Sequence, residues 1–173
     1  MKKKLLVSEV VPTVNDPLGS FLDPTLKELL TSFVKGDRMV RTSIVRKERM
    51  AMERIEAALS LSLAPAKPDL IQNALAALML HYPVRTMDEK QRQSVLADWI
   101  MDLGEFPADV VHAVILSWRR GSNSYAPTPG HLLELGEPII RVRKMLQGMV
   151  DKALAEERRH VAPDVENKRL NVG

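Results

Sequence analysis

Between Ile71 and Trp118, apolar residues recur at i, i+3, i+4 and i+7 in three successive segments: Ile71, Ala74, Leu75 and Leu78; Leu96, Trp99, Ile100 and Leu103; Val111, Val114, Ile115 and Trp118. That period places each set on one stripe of a helix, so each segment predicts an amphipathic helix with a core-facing side. The residues between them are stop and start signals. Tyr82 and Pro83 end the first segment, and Thr86 with Glu89 three residues later forms a capping box for the second. Gly104 closes the second, Pro107 opens the third and Gly121 closes it. Thr128 followed by Pro129 then repeats a cap-and-proline start for a fourth helix.

On that fourth helix Leu132, Leu135, Ile139, Val142, Leu146, Met149 and Ala153 follow alternating steps of 3 and 4, an uninterrupted heptad seam. The seam runs through Pro138. An interior proline costs a helix about 3 kcal/mol and usually kinks it, but the apolar phase is kept across it, which predicts one bent helix rather than two. Beyond His160, Pro163, Asp164 and Asn167 predict a frayed, flexible tail over 161–173.

Upstream the pattern is looser. Pro12, Asn15, Asp16, Pro17, Gly19 and Ser20 interrupt any period, so residues 1–23 read as a flexible arm. Asp23 and Pro24 form an N-cap and first helical position for a helix with the stripe Leu26, Leu29, Leu30 and Phe33, closed by Gly36. A long helix from Arg38 to Ser62 follows, with Val40, Ile44, Ala51, Ile55 and Ala58 on one side and Arg46, Arg49, Glu53 and Glu56 largely opposite. Ala64, Pro65, Ala66, Lys67 and Pro68 end it and read as a linker. No alternation of strand type exceeds four residues. The expected fold is all-α: a small helical bundle with a long N-terminal helix and a long, kinked C-terminal helix. Residues 24–63 form a helical extension and residues 64–160 the core domain.

Composition adds exclusions. The chain has 173 residues, 45% hydrophobic and 27% charged, enough for one core with extensions. With no cysteine there is no disulfide, thiolate metal site or cysteine nucleophile. The longest apolar run, Ala74 to Leu80, is far short of the roughly 20 residues of a membrane span. After Lys2, Lys3 and Lys4 only Leu5, Leu6 and Val7 precede Ser8 and Glu9, too few for the apolar region of a signal peptide. A cytoplasmic protein is expected, with no membrane partner. Its net charge of +3 is unevenly spread: residues 64–140 carry more acid than base, whereas 36–63 and 141–173 carry more base than acid. Basic flanks suit nucleic acid, an acidic protein or a solvated helix face.

Catalytic and cofactor chemistry has no signature here: neither GxGxxG nor GxxxxGK[ST] occurs, and His81, His112, His131 and His160 lie in different segments. No catalytic residue, metal or cofactor is assigned. His131 with Glu134 at i+3 resembles half of a carboxylate-bridged metal site but reads as a helix-start pair; His112 with Asp109, and Asp98 with Asp102, read as solvated contacts. Two short helices joined at Gly104 look like a helix-turn-helix, yet the second would present Ala108 and Asp109 after Asp102 and Glu105, and acids there repel phosphate. Arg119, Arg120 and Arg141 are the better nucleic-acid candidates, against the alternative that Arg119 and Arg120 complement a helix C-terminus. Tyr125, in a proline-braced loop from Ser122 to Gly130, is either a cap on the core or an anchor for a partner.

One segment carries a family resemblance. Tyr82 and Pro83, Trp99, Leu103, Phe106 and Pro107, Val110 and Val111, Ala113, Trp118, then Ala126, Pro127, Thr128, Pro129, Gly130 and Leu132 occur in the order found in the helical domain of phage replicative-helicase loader/inhibitor proteins, which residues 70–140 resemble. The resemblance implies a small all-α domain with a flexible C-terminal region that binds the hexameric replicative helicase. It also implies that the helicase is held inactive until delivery to an origin complex, so DNA or an origin-binding protein is a further partner, and no small-molecule substrate or catalysis is implied. The chain departs from the family in its N-terminal extension and in a C-terminal region that reads as helical. The interface is therefore placed on exposed parts of the heptad seam, at Leu146, Met149 and Ala153, flanked by Arg143 and Lys144; the alternative is that this seam packs within its own domain. A small basic helical DNA-binding protein, either a regulator or a packaging recognition subunit, is the other functional expectation.

Overall fold

The computed structural model describes residues 12–13, 15–82 and 87–170, with backbone alone over 161–170. Among these residues there are seven helices and no strand: α1 (Pro24–Lys35), α2 (Arg38–Lys47), α3 (Arg49–Leu61), α4 (Pro68–Met79), α5 (Glu89–Leu103), α6 (Ala108–Arg120) and α7 (Pro129–Leu170). The fold is all-α. No described helix is long and apolar enough to cross a membrane. Two compact units share the chain. One comprises residues 1–20 and 62–142, the other residues 21–61 and 143–173.

The first unit is built from α4, α5, α6 and the start of α7. Its core gathers Ile71, Leu75 and Leu78 from α4, Trp99 and Leu103 from α5, Val110, Val111, Val114, Ile115 and Trp118 from α6, and Leu132, Ile139 and Ile140 from α7, with Phe106 beneath the α5–α6 turn. Most are the stripe positions that periodicity selects; Phe106, Val110 and Ile140 join them, and Ala74, Leu96 and Ile100 of the expected stripes are only partly buried. The stretch 64–68 is no free linker: Ala66 is buried and its N–H donates to the Phe106 carbonyl over 2.8 Å, so the turn and the approach to α4 are tied together. The capping box of α5 falls two residues later than expected. The Asp88 carboxylate accepts from the Gln91 N–H at 2.8 Å and the Gln91 side chain accepts from the Asp88 N–H at 3.1 Å; Pro83 and Thr86 lie outside the described residues. Replacing Asp88 with alanine should cost about 1 kcal/mol, read as a lower urea midpoint with an unchanged slope.

The second unit combines α1, α2 and α3 with α7 from Arg143 onward. Asp23 caps α1 through the Leu26 N–H at 3.0 Å, and Gly36 closes it by donating to the Phe33 and Ser32 carbonyls. The single helix expected from Arg38 to Ser62 is two helices. They break at Glu48, whose backbone leaves the helical region at φ −116°, ψ 32°. The buried face keeps one phase across the break but lies beside the expected one: Val45, Met52, Ile55 and Leu59 are buried while Val40 faces water. The arm expected over 1–23 is anchored at its described end. The Thr13 and Gly19 N–H groups donate to the Asp16 carbonyl, Gly19 takes the left-handed φ of 50° that glycine favours, and Leu18 and Leu22 are buried.

Helix α7 passes unbroken through Pro138, as the preserved apolar phase predicts, and its backbone continues through Pro163 to Leu170, in place of the expected frayed tail; residues 171–173 lie outside the described residues. One half of the predicted seam is correct: Leu132, Ile139 and Leu146 are buried and Ala153 is half-buried. The other half is displaced by one residue. Gly136, Arg143, Val150 and Glu157 are buried, whereas Leu135 is exposed and Val142 and Met149 are half-buried. The buried residues of α7 beyond Val142 belong to the unit of α1–α3.

Candidate functional site

Two surfaces gather the polar and aromatic residues singled out by the sequence, one in each unit. In the first unit the end of α6 and the following loop form an aromatic corner. Trp118 is buried on α6. The Tyr125 ring meets it edge-on, with centroids 5.7 Å apart and planes 73° apart, and the His131 ring stacks on it at 4.9 Å and 19°. His131 is placed by the start of α7: the Thr128 N–H donates to its Nδ1 at 3.1 Å, and its own backbone N–H donates to the Thr128 carbonyl. A histidine thereby fills the place of glutamate or glutamine in a capping box. His131 thus acts at the helix start, with Nδ1 engaged by Thr128. Among the described residues no group of three or more His, Cys, Asp or Glu side chains could hold a metal ion.

The loop is fixed on both sides. Pro127 is buried, and the Asn123 side chain donates to the Trp118 carbonyl at 3.2 Å. Gly121 donates to the Ser117 and Trp118 carbonyls, so the last turn of α6 is capped. Tyr125 packs against core residue Trp118 and is still 55% exposed, and Arg119 and Arg120 at the end of α6 are exposed as well. Next to this corner a groove of about 570 Å³ runs along α6, lined by Pro12, Ala113, Leu116, Arg120, Leu135 and Ile139. Arg141 is exposed further along α7.

The second unit holds a cleft of about 470 Å³ between α1–α2 and α7, lined by Phe33, Arg38, Arg41, Val45, Met149, Lys152, Ala153 and Glu157 among others. Arg41 donates to the Phe33 and Val34 carbonyls at 3.1 and 2.9 Å, and its guanidinium lies 5.7 Å from the Phe33 ring centroid. It thus satisfies the carbonyls that α1 leaves open at its C-terminus. Glu157 is buried. One oxygen approaches Arg46 at 3.5 Å, and the other has no hydrogen-bond partner. Around the cleft, Arg158 pairs with Glu56 at 3.6 Å and Gln147 donates to the Ser60 hydroxyl at 3.1 Å, holding α7 to α3.

This geometry redistributes the expected interface. Met149 and Ala153 line the cleft and Lys144 is exposed, but Leu146 is buried and Arg143 is fully enclosed, its guanidinium 5.4 Å from the Phe21 ring centroid. Arg143 and Leu146 are therefore part of the second unit's interior and not of an exposed seam, because the burying face of α7 includes the Arg143 register. Three participants escape sequence reasoning: His131 as a cap, and Arg143 and Glu157 as buried charges. A seven-residue repeat through Gly136, Arg143, Val150 and Glu157 is present, but only Val150 in it has a large apolar side chain. The chain matches no family model, no curated protein and no solved structure.

Proposed function

We propose that this protein is a non-catalytic accessory factor of DNA replication that binds a hexameric replicative helicase in the cytoplasm and restrains or loads it. One observation carries this reading. The residues in which the chain resembles phage helicase loader/inhibitor proteins, from Trp99 through Phe106, Val110, Val111 and Trp118 to Leu132, converge on one core, and the unit they form spans nearly the same stretch as the resemblance. The helicase surface is assigned to the cleft of the second unit. Met149 offers an adaptable apolar contact. Arg38 and Lys152 are exposed at the cleft.

The test is complex formation with the purified replicative helicase of the encoding organism, followed by size-exclusion chromatography and by the helicase's ATPase rate. A stable complex with a lowered ATPase rate is expected. Changing Arg38 and Lys152 together to glutamate should weaken it at least tenfold with the circular dichroism unchanged. Point variants are needed because truncation after Arg143 removes half of the second unit. Absence of any complex, together with duplex DNA binding that falls steeply with salt, would replace this reading with that of a small basic DNA-binding protein.

A further inference from the structure

We infer that the aromatic corner of the first unit, independently of helicase binding, is a contact site for single-stranded nucleic acid, with Tyr125 as a stacking face and Arg119 and Arg120 as phosphate contacts. Two observations converge on it. The first is the pose of Tyr125. More than half of its surface is exposed, and the ring packs against Trp118 and His131, with centroids 5.7 and 5.9 Å away, in a loop pinned by Pro127 and Asn123. A base stacking there meets a surface that is already ordered, which is how aromatic platforms hold unpaired bases without reading their sequence.

The second is charge. No carboxylate side chain occurs between Asp109 and Glu134, while Arg119 and Arg120 are both exposed within that stretch. The partial negative charge at the end of α6 is answered by the Gly121 and Asn123 donors, which leaves the two guanidinium groups to meet an anion. Arg141 is not assigned to the site, since Glu134 and Glu137 precede it on α7.

These features select among anions. A duplex keeps its bases stacked on one another and has no free face for Tyr125. An acidic peptide would answer the arginines but stacks on the ring only where it carries an aromatic or guanidinium group beside its acids. A single strand supplies both.

Fluorescence anisotropy of a labelled oligothymidylate of about 15 nucleotides, titrated with the full chain at about 50 mM and 200 mM salt, tests this without any helicase. Expected is salt-sensitive binding, weakened roughly tenfold or more by Tyr125→Ala and retained by Tyr125→Phe. The pair Arg119→Ala and Arg120→Ala should weaken binding and make its log–log salt slope shallower by about 0.7 for each phosphate that is no longer neutralised. The arginines lie on the exposed surface, so their variants keep the test decisive if Tyr125→Ala melts early. The inference is overturned by no binding at the lower salt, by equal affinity for Tyr125→Ala, by an equally tight duplex, or by polyglutamate competing better than unlabelled oligothymidylate. Success or failure of helicase binding leaves these outcomes unaffected.

Discussion

Replacing Arg143 with alanine is expected to destabilise the protein by about 3 kcal/mol, within the range for removing one member of a buried charged group. The side chain has no exposure to water and lies against Phe21. Truncation removes the cation–π interaction, empties the volume of a long side chain and strands whatever polar groups face the guanidinium. Lysine should not rescue, because a compact ammonium cannot reproduce the planar fork of donors. Methionine, which refills the volume but supplies neither charge nor donors, should recover only the packing part of the loss. Urea unfolding at constant slope is the measurement. An alanine variant within about 0.5 kcal/mol of the parent, the range of an ordinary surface change, would mean that Arg143 does not sit in the buried register of α7.

The second large effect concerns two glycines in the same helix. Gly136 is buried, and a Cβ there would fall inside the envelope of the Phe106 ring; Gly148 has open space around it, and a Cβ there would meet nothing within 4 Å. In an unstrained helix interior, alanine gains about 0.5–1 kcal/mol over glycine. Gly148→Ala should show that gain. Gly136→Ala should lose about 1–3 kcal/mol, because overpacking against an aromatic ring outweighs the propensity difference. Adding Phe106→Leu should return part of the loss, giving a coupling energy in a double-mutant cycle. Equal stabilisation by both alanines would exclude close packing of α7 on Phe106.

How much of the fold is legible in the sequence depends on how apolar each buried face is. The stripe of α6 is Val, Val, Ile and Trp, and periodicity alone finds it. Pro138 does not obscure α7, because Leu132, Ile139 and Leu146 keep their phase on both sides of it. The seam becomes illegible where burial and hydrophobicity part company: Gly136, Arg143 and Glu157 occupy inward positions, while Leu135 and Met149 look like better core residues. The break at Glu48 is hidden because no proline or glycine marks it. At the candidate sites, Tyr125 reads as a core cap at least as readily as an anchor, but the exposure of Arg119 and Arg120 is open to inference from position in the chain. The roles of His131 and Glu157 are not, since each depends on a partner brought near only by folding.

The division of α7 between two units has a consequence for synthesis on the ribosome. Helices α1–α3 are complete at Leu61, but the part of α7 that closes their unit begins only at Arg143. At translation speeds of roughly 5–20 residues per second, that interval is on the order of ten seconds. Throughout it Phe33, Met52, Ile55 and Leu59 have only each other for cover, and the first unit, whose last helix must be made before Arg143 emerges, assembles ahead of the unit closed by the far end of the chain. Nascent-chain protease protection should therefore reach residues 62–142 before it reaches α1–α3, although α1–α3 are synthesised first.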